Sequence, residues 1–138
     1  MKNYRLISIV LASLFAITGL LFLLVPDRVL ALFNGFSAAL GMPEAPVTGW
    51  HFYLILAVGY MYLVTFLAFS MYRHPENKYF PQLLAHAKLA SSLLSLALFL
   101  LHAHYLIYLA NFLVDGAIGA TAVILYLKMG RAAQWASY

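Results

Sequence analysis

Apolar residues run in four long blocks along this chain, and polar residues collect between the blocks rather than alternating within them. Leu6 to Val25, Gly49 to Tyr72, Phe80 to Leu101 and Tyr105 to Leu127 are each long enough to cross a hydrocarbon core about 30 Å thick as a helix. The first two carry no charge and the fourth carries only Asp115, whereas Gln82, His86 and Lys88 make the first half of the third block less lipid-like than its second half. Pro26 and Pro75 fall just outside helices, and Pro81 suits a first turn, where a missing N–H costs nothing. The predicted fold class is all-α, a four-helix transmembrane bundle forming one domain over residues 1–138. Between the first two spans, Val29, Phe33, Phe36 and Leu40 recur at helical spacing and predict a short interfacial helix, after which Gly41, Pro43 and Pro46 punctuate the return. The other two loops are short, so the second, third and fourth helices are expected to be antiparallel neighbours. No internal repeat or low-complexity tract is visible.

Composition sharpens this picture. Of 138 residues 65% are hydrophobic and 9% charged, too few polar side chains to clothe a soluble globule. The net charge of +4 does not indicate nucleic acid, because the basic residues sit at span ends. Lys2 and Arg5 precede the first span, Arg73 and Lys78 fill the second loop, Lys128 and Arg131 follow the last, and the opposite side holds only Arg28. The positive-inside rule then predicts cytoplasmic N- and C-termini, with the lipid bilayer as the principal partner and no nucleic acid. The absence of cysteine excludes disulfides, iron–sulfur clusters and thiolate metal sites. The first apolar run exceeds a usual signal-peptide core and no A-x-A-like site follows Val25, so it is expected to be retained as a helix. Tyr4, Trp50, Tyr53, Tyr72, Tyr79, Tyr105, Tyr126 and Trp135 fall near predicted span ends, as an interfacial aromatic belt requires.

The chemistry lies in polar residues inside the spans. Asp115 is about 15 Å down the fourth helix, near the bilayer centre, where a carboxylate costs on the order of 3 kcal/mol unless it faces protein or water. Gly116, Gly119 and Ala120 beside it offer a small-residue surface to another helix, and Asn111 is one turn away on the same face. The third span presents a matching stripe of Lys88, Ser91, Ser92 and Ser95 at i, i+3, i+4 and i+7. Counting out from the turn near His104 places Asp115 level with Ser92 or Leu93 and Lys88 roughly 7 Å lower, so a direct ion pair and a separated pair are both open at this point. Tyr60 is equally deep in the second span, which allows one network of Tyr60, Ser92 and Asp115. Such a polar core either fixes helix register or supplies a proton-accepting or ligand-binding carboxyl. Ser8, Ala12 and Ala16 form a small-residue stripe that serves packing within one bundle or self-association.

His51, His102 and His104 are expected near the outer face, with His74 and His86 toward the cytoplasm. Imidazoles at one depth ligate haem iron in some bundles, and a His-x-His in a turn suits a metal, so the outer-face histidines leave haem b, a quinone or a metal open as cofactors; ordinary interfacial histidines explain them equally. No catalytic residue is assigned: the chain has no phosphate loop, no nucleophile elbow and no H-E-x-x-H sequence. The first span lacks the essential Glu expected of a small multidrug exporter.

The run from Gly19 to Leu30, Gly-Leu-Leu-Phe-Leu-Leu-Val-Pro-Asp-Arg-Val-Leu, ends a first span and leads into an interfacial segment. In this it resembles the small four-helix DoxX-like membrane proteins, a likeness that would cover roughly residues 6–127. The resemblance implies a four-helix bundle, some of whose relatives are subunits associated with quinone-linked oxidoreductases. Together these readings predict a bacterial inner-membrane protein acting as an accessory or scaffold subunit of a membrane complex, with other membrane subunits or a second copy as partners. A proton-coupled or small-solute carrier using Asp115, and a haem- or quinone-binding redox subunit, are the alternatives.

Overall fold

The computed structural model describes residues 2–46 and 51–135, with side chains described for 2–46 and 53–129. Five helices form: α1 (Lys2–Leu24), α2 (Pro26–Ala39), α3 (His51–Arg73), α4 (Tyr79–Leu101) and α5 (Leu106–Trp135). The described residues contain no strand. α1, α3, α4 and α5 each contain a stretch long and apolar enough to cross a membrane, so the protein is a multi-pass membrane protein built as an all-α bundle of four spans.

α2 is the short helix expected between the first two spans. Pro26 opens it with Asp27 in the first turn, where fixed φ and negative charge both suit a helix start. It ends at Gly41, whose φ of +65° lets the chain reverse while Met42 N–H donates to Ser37 O at 2.9 Å. The buried side of α2 is Leu30, Asn34 and Ser37, offset from the apolar stripe the sequence suggests, since Phe36 and Leu40 face outward. Asn34 clasps the returning chain: its Nδ2 donates to Ala45 O at 2.8 Å and its Oδ1 accepts from Ala45 N–H at 2.9 Å.

The helices associate as two close pairs, α1 with α3 and α4 with α5, and the α3–α4 contact is smaller. The second, third and fourth spans are successive neighbours as expected, and the α4–α5 contact is the closer of the two for a reason visible in side-chain size. Ser8, Ala12 and Gly19 of α1 are buried, and a Cβ on Gly19 would lie 3.1 Å from Met61 Cβ. Gly116 and Gly119 of α5 likewise admit Ser92 and Leu89 of α4. Small residues let backbones approach where lipid supplies no hydrophobic drive between helices. The Ser8 and Ala12 positions are thereby used inside the bundle.

Phe22 shares a cavity lining with Tyr53, Leu98 and Tyr105, so the end of α1, the start of α3, the end of α4 and the start of α5 lie together beneath α2. Lys2, Arg5, Arg73, Lys78 and Lys128 belong to the opposite end, while Asp27, Arg28 and Glu44 belong to the α2 end. The dry core, with Phe15, Val64, Ala68, Met71, Leu84 and Ala122, fills the half nearer the termini. Tyr53, Tyr72 and Tyr79 are exposed near span ends as a belt would be. Tyr4 is not: α1 begins early enough to bury it at 9% exposure, and among the described residues its hydroxyl has no hydrogen-bond partner. Trp50 and the Trp135 side chain lie outside the described residues.

Candidate functional site

The stripe on α4 and the carboxyl on α5 meet. Lys88 Nζ donates to Asp115 Oδ1 at 2.9 Å, and the two residues are 2% and 4% exposed. Of the two arrangements open from the sequence, the direct pair forms. Gly116 lies against Ser92 and Gly119 against Leu89, so Lys88 stays about five residues, roughly 7 Å, below the level of Asp115, and the close approach of α4 and α5 lets the four-methylene lysine stem span that gap against its default lean.

Two aromatic rings also face the ammonium. Nζ stands 4.5 Å from the centroid of the Phe15 ring and 5.0 Å from that of Tyr60. Four helices thus converge on one charge: α1 gives Phe15, α3 gives Tyr60, α4 gives Lys88 and α5 gives Asp115. A desolvated ammonium over a ring gains about 2 kcal/mol, which supplements the carboxylate where water is scarce.

Around the pair, Asn111 Nδ2 donates to Ser95 Oγ at 2.6 Å and to Ser91 Oγ at 3.2 Å. Two other members of the expected network are engaged differently. Tyr60 Oη donates to Ala87 O at 3.1 Å, and Ser92 Oγ donates to Phe112 O at 2.8 Å, so neither hydroxyl bonds Asp115. Both satisfy main-chain carbonyls, and Tyr60 serves the pair with its ring face instead. Among the described residues no hydrogen bond reaches Asp115 Oδ2 or Asn111 Oδ1, and neither oxygen is fully enclosed.

Those oxygens belong to residues that line a cavity of about 280 Å³, shared with Phe15, Tyr60, Lys88 and Ser91. A second cavity of about 300 Å³ lies beneath α2, lined mainly by apolar side chains including Leu30, Leu54 and Leu98. Phe22, Ala57 and Asn111 line both, so the two adjoin and lead from the α2 end to the ion pair. Volumes near 300 Å³ are at the lower bound of small-molecule sites, which combine an apolar wall with a few convergent polar groups.

His102 and His104 are exposed in the turn between α4 and α5, with His104 edge-on to Phe99 at 5.1 Å. His86 is exposed on α4, and exposed His74 stands 3.7 Å from Glu76. The side chain of His51 lies outside the described residues. Among the described residues no three His, Cys, Asp or Glu side chains come together as a metal site.

Sequence reasoning identified Lys88, Asp115, Asn111, Ser91 and Ser95 as one cluster and missed Phe15, Phe22 and Ala57. A phenylalanine inside an apolar run carries no signal of which side chain it faces. The one available hint was that a buried ammonium needs more than one partner. No family model, curated protein or solved structure matches this chain.

Proposed function

We propose that this protein is an accessory subunit of a bacterial inner-membrane complex, with both termini in the cytoplasm, and that its own contribution is a small-molecule binding site inside the bilayer. The observation that carries this reading is that the Lys88–Asp115 pair opens onto a cavity. A purely structural polar knot is served best by tight packing on all sides, because every unfilled contact forfeits dispersion energy. Here the polar groups converge on space instead. The basic residues at the end opposite α2 support the orientation. The apolar cavity lies in the α2 half, the ion-pair cavity adjoins it at mid-span, and the core around Val64, Ala68, Met71 and Leu84 fills the bundle beyond, which favours a binding site over a continuous pathway.

Ala57 lines both cavities, so Ala57→Phe fills their junction. Wild-type protein purified in mild detergent from its own membranes is expected to carry a small molecule, read by mass spectrometry of the extract, that Ala57→Phe lacks. Identical extracts from the two proteins would sink the binding-site reading. A wild-type protein that migrates alone on a native gel, without partner subunits or a second copy, would sink the subunit reading.

A further inference from the structure

We infer that the ligand of this site is an uncharged single-chain amphiphile with a hydroxyl head, in class a long-chain alcohol. The hydroxyl donates its one proton to Asp115 Oδ2, and the chain lies in the cavity beneath α2. This inference rests on the binding-site reading above and adds the chemistry of the guest.

Three observations lead to it. The first is charge. Lys88 and Asp115 sum to zero, so a charged head would leave a net charge at mid-membrane, the arrangement that the pair itself avoids. The guest is therefore neutral.

The second is hydrogen-bond polarity. The ammonium is directed at Asp115 Oδ1 and faced by the Phe15 and Tyr60 rings, and the amide nitrogen of Asn111 is engaged by two serines. Two acceptor oxygens, Asp115 Oδ2 and Asn111 Oδ1, have no hydrogen bond among the described residues, and their residues line the cavity together with the hydroxyl-bearing Thr18 and Ser91. A hydroxyl head donates to the carboxylate oxygen and can accept from a neighbouring hydroxyl, whereas an ether or a ketone only accepts and leaves that oxygen unpaired in a low dielectric.

The third is shape and access. The outer cavity is walled by Phe22, Leu30, Leu54, Leu98 and Ile107, and it meets the ion-pair cavity at Asn111. Tyr53 and Leu98, at 63% and 45% exposure, place its rim at the lipid-facing surface, so a molecule dissolved in the bilayer reaches it sideways.

The test uses the full chain in lipid nanodiscs with a photoreactive n-decanol carrying a diazirine at the far end of its chain, and adducts are mapped by mass spectrometry. Adducts are expected on Leu30, Leu54 or Ile107, lost in Ala57→Phe. Free n-decanol should suppress them at a concentration at least tenfold below that needed for decyl methyl ether, decanoate or decylamine. The double variant Lys88→Met/Asp115→Leu, checked for folding by its melting curve, should bind alcohol and ether alike. Equal competition by alcohol and ether in the wild type would overturn the hydroxyl head while leaving the site. Stronger competition by decanoate or decylamine would overturn the neutral guest. Adducts absent from the cavity, or unmoved by Ala57→Phe, would overturn the site itself.

Discussion

Replacing Asp115 by Asn removes one charge from the centre of the bundle and leaves the ammonium of Lys88, a residue 2% exposed, facing two rings and an amide. The size of the effect follows from what the carboxylate offsets. An unpaired lysine at mid-membrane costs on the order of 3 kcal/mol, and removing one partner of a buried ion pair costs about 3–5 kcal/mol. Asp115→Asn should therefore destabilise the bundle by about 3 kcal/mol, roughly a hundredfold in the folding equilibrium. Lys88→Met/Asp115→Leu removes both charges and should return stability to within about 1 kcal/mol of the wild type, because an apolar pair of similar volume substitutes well for a buried ion pair. Reversible unfolding in mixed micelles, followed by helical circular dichroism, measures both variants and completes the double-mutant cycle. An Asp115→Asn cost near 0.6 kcal/mol, the average for one hydrogen bond between membrane helices, would refute the reasoning. It would mean that the ammonium draws on water through the cavity and that Asp115 is not what neutralises it.

Four further outcomes follow from the geometry and from the charge pattern. A Cβ on Gly119 would lie 2.8 Å from the Leu89 side chain and 3.2 Å from its backbone nitrogen, so Gly119→Ala should part α4 from α5 and cost about 1–3 kcal/mol in a melting experiment. Gly35→Ala, with nothing within 4 Å, should be neutral or gain about 0.5–1 kcal/mol in the same assay. Asn34→Ala unties both hydrogen bonds to Ala45 and should cost about 1–3 kcal/mol, seen as faster hydrogen exchange at the Ala45 amide; unchanged exchange would show that the clasp does not hold the loop. Because the chain has no cysteine, single cysteines report orientation cleanly: in intact cells Glu44→Cys should react with an impermeant maleimide while Asn3→Cys and Asn77→Cys stay protected, and the reverse pattern would invert the topology.

The spans were legible because a bilayer imposes length and apolarity directly on sequence, and the Lys88–Ser95 stripe because helical periodicity fixes which residues share a face. Asp115 and Asn111 stood out for the same reason, as polar groups where polarity is costly. Whether Lys88 touches Asp115 was not legible. The axial offset follows from the sequence, but whether the lysine stem reaches across it depends on how closely Gly116 and Gly119 let α4 and α5 approach. Tyr60 and Ser92 were placed at the correct depth but given the wrong partner, because nothing in the sequence marks the carbonyls of Ala87 and Phe112 as the acceptors within reach. Tyr4 looked interfacial by position, yet burial follows which way a helix face turns. The cavities had no sequence signal at all, since space is a property of several side chains jointly and of none singly.

Because Lys88 and Asp115 stand on consecutive spans joined by a short turn, the charge of each is cancelled by its immediate neighbour in the chain. These two spans are also the least apolar of the four, so each alone would partition poorly from the translocation machinery into lipid. Entering as a hairpin, they present hydrocarbon with a single neutral dipole. The ion pair thus makes α4 and α5 one unit of biogenesis, and a chain cut within the turn at 102–105 would have to insert two helices each carrying an uncompensated mid-span charge.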